Sequence, residues 1–411
     1  MESKGIPPTP STDMTEAERV RADCRELYRR ERLSSTQLLE LETSLTSSSS
    51  SPDAIRKRVS SLLLHDFDLT IERMRLERNE HEQKSIGVSE LAAVAAGGAL
   101  GAISAWMRPT ANLTQPTLWT SAVDNAVATL NVAKHKRSVQ QLRLQLMSGD
   151  VATCRHVVLC INGFMTQSDD PGRNWRSWTP DDQPDVAVFA VHWEAGDAGA
   201  WNDFCAHVNA NFATSSALGM LTHFTGNPWH SAQGKAEQVG VLLAHVLAES
   251  PALLRDRKLS LFGHSLGGAV IYSTFQEMAL LKAQQTEDEL NYLPAVTNAV
   301  SFAGAFVVPD APEPLANIAK GLDPEGGAFI NVFSSRDNVL SKLFWMLQLP
   351  GPATASASAA GCQAIAFTAP NCVNVDVSDL VVPSATNHFG HSYTHVMDVI
   401  KARLQPHLFR L

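Results

Sequence analysis

The stretch LFGHSLGGAV, residues 261–270, holds a serine between two glycines, Gly263-His264-Ser265-Leu266-Gly267, with apolar residues on either side. Gly-x-Ser-x-Gly is the spacing of a nucleophilic serine on a sharp strand-to-helix turn, where the hydroxyl stands clear of its own backbone. Three fixed residues are weak on their own, so the flanks decide. Leu259–Phe262 reads as a strand, and Ile271, Phe275 and Met278 fall on one face of a following helix. A phosphate-binding glycine turn would show G-x-G-x-x-G or a lysine after the loop, and neither is present.

Acyl transfer by a serine needs a general base and a carboxylate that orients it, in the chain order Ser, Asp/Glu, His. Asp337 in GAFINVFSSRDNVL, just past an apolar run, is the expected acid, and Asp310 in VVPDAPE is the second choice. An aspartate in that setting also caps helices, and the two roles are compatible. The base is expected after the last strand, in ATNHFGHSYTH. His391, behind Gly390, is the choice there, followed by His388, while His395 reads as part of the closing helix. The tetrahedral oxyanion needs two backbone N–H groups. Leu266, after the nucleophile, and Phe164, in the turn INGFMTQSDD, are the expected donors. A plain strand-ending turn would also use Asn-Gly. No cofactor and no metal is called for: the six cysteines include no C-x-x-C pair.

These residues need a frame. From Val151 onward, short apolar runs alternate with helical stretches: HVVLCING, DVAVFAVHW, KLSLFGHS, SFAGAFVV and GAFINVFSS are the strand-like segments. GKAEQVGVLLAHVLAES carries Ala236, Val239, Gly240, Leu243 and Leu247 on one helical face. Continuous apolar strands separated by helices predict a mostly parallel sheet covered on both faces, an α/β class, over residues 151–411. Such sheets put functional loops at the carboxyl ends of their strands. Between DVAVFAVHW and the helix near residue 232 lies a long aromatic-rich connection containing Trp201, Phe204, Phe212, Phe224 and Trp229. It reads equally as a lid or acyl-chain wall and as packed helices of the core. QLPGPATASASAAGCQAIAFTAPN, rich in small residues, reads as a flexible loop.

The rest of the chain reads differently. Residues 1–51 are polar, include the run Ser47–Ser51, and are expected to be a flexible N-terminal segment, with room for a charged helix over 14–42. Residues 52–150 are expected to be a helical region. Within it Pro52–Lys84 has Val59, Leu62, Leu63, Phe67 and Ile71 at helical spacing, and 117–148 reads as a further helix. Between them Leu91–Met107, LAAVAAGGALGAISAWM, carries no charge and contains Gly97-x-x-x-Gly101. As a helix its 17 residues would extend roughly 25 Å, short of the roughly 30 Å of a hydrocarbon core. Peripheral or shallow membrane contact through 91–107 is the expectation, with packing onto the rest of the chain as the alternative.

The chain has 411 residues, 44% of them hydrophobic, and a net charge of −9. No long basic run occurs, so nucleic acid is not an expected partner. The polar N-terminus is not a secretory leader, and scattered cysteines fit reduced thiols on the cytosolic side of a membrane or in the cytoplasm.

Taken together, VVLCINGFMTQSDD with Trp175, AVHWEAGD, LFGHSLGGAVIY, SFAGAFV, INVFSSRDNVL, and VNVDVSDLV followed by GHSYTH resemble an α/β-hydrolase. More narrowly, they resemble the transmembrane and coiled-coil domain-containing protein 4 family. The resemblance implies a lipase-like or esterase-like serine hydrolase acting on an ester or lipid, preceded by a helical part with a glycine- and alanine-rich apolar segment. It also implies an association with membrane trafficking, so the alternative function is a non-catalytic hydrolase-fold binding partner. Two departures stand out. Asn162 sits where many lipases carry histidine, and the apolar region is shorter than the family's usual hairpin of membrane segments.

Overall fold

The computed structural model describes residues 14–46, 51–84, 138–167, 169–179, 185–197, 199, 228–284, 294–308, 311–344, 358–384, 387 and 390–409. The expected apolar segment 91–107, Asp310, His388 and most of the aromatic-rich connection lie outside these residues.

Three helices come first: α1 (Glu16–Arg29), α2 (Ser35–Thr46) and α3 (Pro52–Lys84). A seven-stranded sheet follows, formed by β1 (Leu142–Ser148), β2 (His156–Ile161), β3 (Val186–Trp193), β4 (Lys258–His264), β5 (Val296–Phe302), β6 (Ala328–Phe333) and β7 (Cys372–Asp376). Its order is β1-β3-β2-β4-β5-β6-β7. β1 is antiparallel to β3, and every other pairing is parallel. The crossovers carry α4 (Pro171–Trp175), α5 (Pro228–Ala248), α6 (Leu266–Gln284) and α7 (Pro312–Gly321), and α8 (Met397–Leu404) closes the chain.

Both faces of the sheet are covered, as continuous apolar strands require. On one face Phe275 of α6 packs edge-on against Phe329 of β6 at 6.0 Å. On the other, Trp178, just past α4, packs against Phe262 of β4 at 4.6 Å, and Lys401 of α8 lies over the same indole. This is the α/β-hydrolase arrangement: a mostly parallel sheet with an antiparallel edge strand and a strand-turn-helix at its centre, where β4 is fourth of seven.

The N-terminal region departs from expectation. Residues 16–46 form two helices rather than a flexible segment, over the stretch that left room for a charged helix at 14–42, and Val20, Cys24, Leu27 and Leu41 are buried. The spacing of Val20, Cys24 and Leu27 makes one apolar stripe despite the charges around it. α3 spans the expected 52–84, and Val59, Leu63, Phe67 and Ile71 face inward. A buried ion pair and a backbone hydrogen bond to a buried carboxylate fasten this bundle to the edge of the sheet where the strands begin. Arg257, just before β4, meets Asp23 of α1 at 2.7 Å and also donates to the Cys154 carbonyl. Asp66 of α3 accepts from Arg30, Arg32 and the Ala252 N–H.

The helix expected over 117–148 is also corrected: residues 142–148 are β1. LRLQLMS alternates apolar and polar side chains with period two, the pattern of a half-covered edge strand. The sheet therefore starts before the boundary expected at 150/151. β5 likewise begins and ends earlier than SFAGAFVV suggests, with its last residue at Phe302.

Candidate active site

Ser265 stands between β4 and α6 with a φ of +56°. That left-handed backbone is costly for a non-glycine residue and is held here by its surroundings. The Ser265 N–H donates to the Phe302 carbonyl at the end of β5, and its carbonyl accepts from Gly268 and Ala305. The motif glycines are explained by close approach. A Cβ on Gly267 would lie 2.1 Å from the Ile161 carbonyl oxygen, and one on Gly263 would lie 2.4 Å from that of Gly267. The first turn of α6 thus sits directly on the ends of β2 and β4. Ser265 Oγ is buried and has no hydrogen-bond partner among the described residues.

Asp337 follows β6 and is fully buried. Its Oδ1 accepts the Leu340 N–H at 3.0 Å, and its Oδ2 lies 2.6 Å from Nδ1 of His391. One carboxylate oxygen thus holds the turn after β6 while the other meets the His391 ring. A carboxylate only accepts, so the neutral His391 ring carries its hydrogen on Nδ1 and keeps a lone pair on Nε2. The His391 backbone is set by Asn387, whose Oδ1 accepts from the N–H groups of both His391 and Ser392. His395 is exposed in a turn before α8 and has no part in this cluster.

The turn after β2 completes the arrangement. Gly163 is so near Ser265 that a Cβ on it would lie 2.5 Å from Ser265 Cβ. Phe164 follows it, next to the elbow. The N–H of Leu266 is the first of α6, where no carbonyl one turn back is available and the helix dipole is positive. The structure therefore brings Ser265, Asp337, His391, Leu266 and Phe164 to one end of the central strands.

Three residues at this edge lie within the quoted motifs but were assigned no role from sequence. Trp175 donates its indole N–H to Asn162 Oδ1 at 2.7 Å, and Trp193 donates to the Asn162 carbonyl at 3.1 Å. The departure at position 162 thus has a structural role: its amide is the acceptor that a buried tryptophan needs. His264 donates to the backbone of His391. An indole N–H in a core must find a partner, but the residue type does not say which acceptor it takes. Of the aromatic-rich connection, Trp229 is described; it is buried and packs edge-on with Phe164 at 5.1 Å and with Phe344 at 6.0 Å.

Other nucleophiles fare poorly. Burial pushes the thiols of Cys24 up to about 12 and of Cys362 and Cys372 up to about 11, so none is a thiolate at neutral pH. Ser260 bonds His156 Nε2 at 2.7 Å, but both are buried at the strand starts, and Asn298 also donates to Ser260. No group of metal-binding side chains is found among the described residues.

A family described as "Protein of unknown function (DUF726)" matches residues 205–403. The chain is 27% identical over 247 residues to the transmembrane and coiled-coil domain-containing protein STS1 of Oryza sativa subsp. japonica, a match covering 55% of this chain and 33% of that protein. The chain spans about a third of the length of that curated relative. Among solved structures, the apo form of Thermogutta terrifontis esterase 2 is 11% identical with a TM-score of 0.31, covering 66% of this chain and 92% of that one. A lipase-esterase related protein from Clostridium acetobutylicum is 16% identical with a TM-score of 0.20, covering 55% and 72%. No described helix is long and apolar enough to cross a membrane.

Proposed function

We propose that this protein is a serine hydrolase that cleaves a carboxylic ester by way of Ser265, His391 and Asp337. The observation that carries the reading is the 2.6 Å contact between Asp337 Oδ2 and His391 Nδ1, set beside a serine held at positive φ on the strand-turn-helix. Binding alone gives no reason to align an orienting carboxylate, a base and a strained serine.

In this reading, His391 Nε2 takes the Ser265 hydroxyl proton as Oγ attacks the ester carbonyl carbon. The oxygen of the tetrahedral intermediate accepts from the N–H groups of Leu266 and Phe164. The intermediate collapses, the C–O bond to the alcohol breaks, and His391 returns the proton to the departing alkoxide. Water then attacks the acyl-serine by the same proton path, releasing the acid. Asp337 orients the ring and stabilises its cation. The unbonded Ser265 Oγ fits an unbound enzyme, in which the serine–histidine bond tightens on binding substrate. The aromatic cluster of Phe164, Trp229 and Phe344 gives the oxyanion turn an apolar backing suited to an acyl chain.

The shared wording between STS1's name and the protein 4 family supports placing this chain near that family. It also supports membrane contact through 91–107, an uncharged stretch in this chain. Hydrolysis of p-nitrophenyl esters of rising acyl length, by the parent and by Ser265→Ala, tests the activity. Turnover that Ser265→Ala abolishes supports it. No turnover at any length, with the protein folded, refutes it and leaves the binding-partner function. Carbonate extraction of cell membranes, with and without residues 91–107, tests the contact.

A further inference from the structure

His264 takes no part in the reaction just described, yet it touches the base. Its Nε2 lies 3.0 Å from the carbonyl oxygen of His391, and the two imidazole centroids are 5.1 Å apart. The ring of Tyr393, itself buried, stands edge-on to His264 at 5.6 Å. A carbonyl oxygen only accepts, so His264 Nε2 carries the hydrogen and donates. Burial, and next the neighbouring His391, push the His264 pKa down to about 3, so this ring is neutral at physiological pH. That neutrality is compatible with an imidazolium forming on His391 during catalysis, where a second cation at this range would oppose it.

Asn387 Oδ1 accepts from His391 and Ser392, and Asn387 Nδ2 donates to the Ser392 carbonyl. Among the described residues, two bonds lead out from His391: its ring to Asp337 after β6, and its carbonyl to His264 at the end of β4. The first holds the ring's rotation. The second ties the residue's backbone to the strand that carries the nucleophile.

We propose that His264 is a positioning residue for the hydrolase reaction, on which this inference rests: its Nε2–H clamps the His391 backbone to the end of β4, fixing the base against the adjacent Ser265. The clamp sets how often His391 Nε2 comes within reach of Ser265 Oγ, so it acts on the chemical step and leaves substrate binding alone.

The test compares the parent chain with His264→Phe, which fills the space without donating, and His264→Gln, whose amide reaches the same carbonyl. His264→Asn, with an amide too short to reach, replaces the phenylalanine variant if that fails to fold. The expected result is a loss of kcat on the order of 100-fold in His264→Phe, the scale of a small misplacement of a reacting group. KM stays unchanged, and His264→Gln recovers most of kcat. In histidine-labelled protein, the proton between His391 Nδ1 and Asp337 gives a sharp far-downfield NMR signal in the parent. It broadens in His264→Phe and returns in His264→Gln. Parental kcat in His264→Phe, a change confined to KM, or a glutamine variant no better than phenylalanine at equal thermal stability would overturn the clamp. If the parent hydrolyses no ester, the hydrolase reading fails and the NMR signal alone decides: an unbroadened signal in His264→Phe rejects the clamp, and a broadened one that glutamine restores upholds it.

Discussion

The backbone of Gly163 lies against Ser265 so closely that a Cβ at 163 would sit 2.5 Å from Ser265 Cβ and 2.6 Å from the His264 carbonyl oxygen. Neither neighbour can give way, because both belong to the elbow. Gly163→Ala therefore costs about 1–3 kcal/mol in urea denaturation, as overpacking does. It also shifts the oxyanion turn away from the serine, and ester turnover falls on the order of 100-fold. A variant with parental stability and turnover would show that the turn after β2 is not what lines the nucleophile.

Asp337→Asn tests the orienting carboxylate. The amide keeps an oxygen for the Leu340 N–H, so the local turn persists. It no longer dictates a hydrogen on His391 Nδ1, and the wrong tautomer removes the base. The expected loss in kcat is about 10⁴-fold, the scale of that substitution in serine proteases. Thermal melts control for folding, and a loss of less than tenfold would take Asp337 out of the reaction.

His264 also makes a prediction about pH. In the unfolded chain it titrates near its ordinary 6.5, and in the folded protein near about 3. Between those values the unfolded state binds more protons, so this residue makes stability fall as pH falls through that window. Above the window it contributes no pH dependence, and below about 3 the loss is complete. Carboxylates titrate in the same range, so the measurement is the difference in urea-unfolding free energy between the parent and His264→Gln. That difference moves against the parent between neutral pH and about pH 4. A pH-independent difference would mean that the folded ring titrates normally.

How much of this was legible in the residues divides by physical range. The elbow could be read because glycine spacing, a preceding strand and a following helix are all local. Chain order and their place after strands singled out Asp337 and His391, whose side chains meet at 2.6 Å. The Trp175–Asn162 and His264–His391 bonds were not legible: the second joins residues 127 apart, and the first, across 13 residues, depends on how the turn after β2 folds back on α4. Nothing local distinguishes a tryptophan that donates to a turn from one that only fills a core. β1 was misread because its alternation was taken as the tail of a longer helix. Over 14–42 a charged helix was the most that was allowed for, because charge density hid the narrow apolar stripe that buries α1. Ala359 and Ala360, in the stretch read as a flexible loop, are buried, with the Ala360 carbonyl held by the buried Asn331 amide.

The N-terminal helices depend on the buried pair between Asp23 and Arg257. Burial pushes the Asp23 carboxyl pKa up even though the Arg257 guanidinium opposes it, so the pair is held against a desolvation penalty. Removing one partner strands the other. Asp23→Leu is expected to cost about 3–5 kcal/mol, and Asp23→Leu with Arg257→Met considerably less. Chemical denaturation of the single and double variants checks this. Equal costs would mean that Arg257 is satisfied by backbone carbonyls alone.

In the proposed reaction Ser265 is a nucleophile activated by His391. The most direct measurement is the site of covalent modification by a fluorophosphonate, read by intact mass and peptide mapping of the folded chain. One adduct is expected, on the peptide carrying Ser265. It is absent in Ser265→Ala and slowed by orders of magnitude in His391→Ala. An adduct on another serine, or none on the folded parent protein, would mean that Ser265 is not an activated nucleophile.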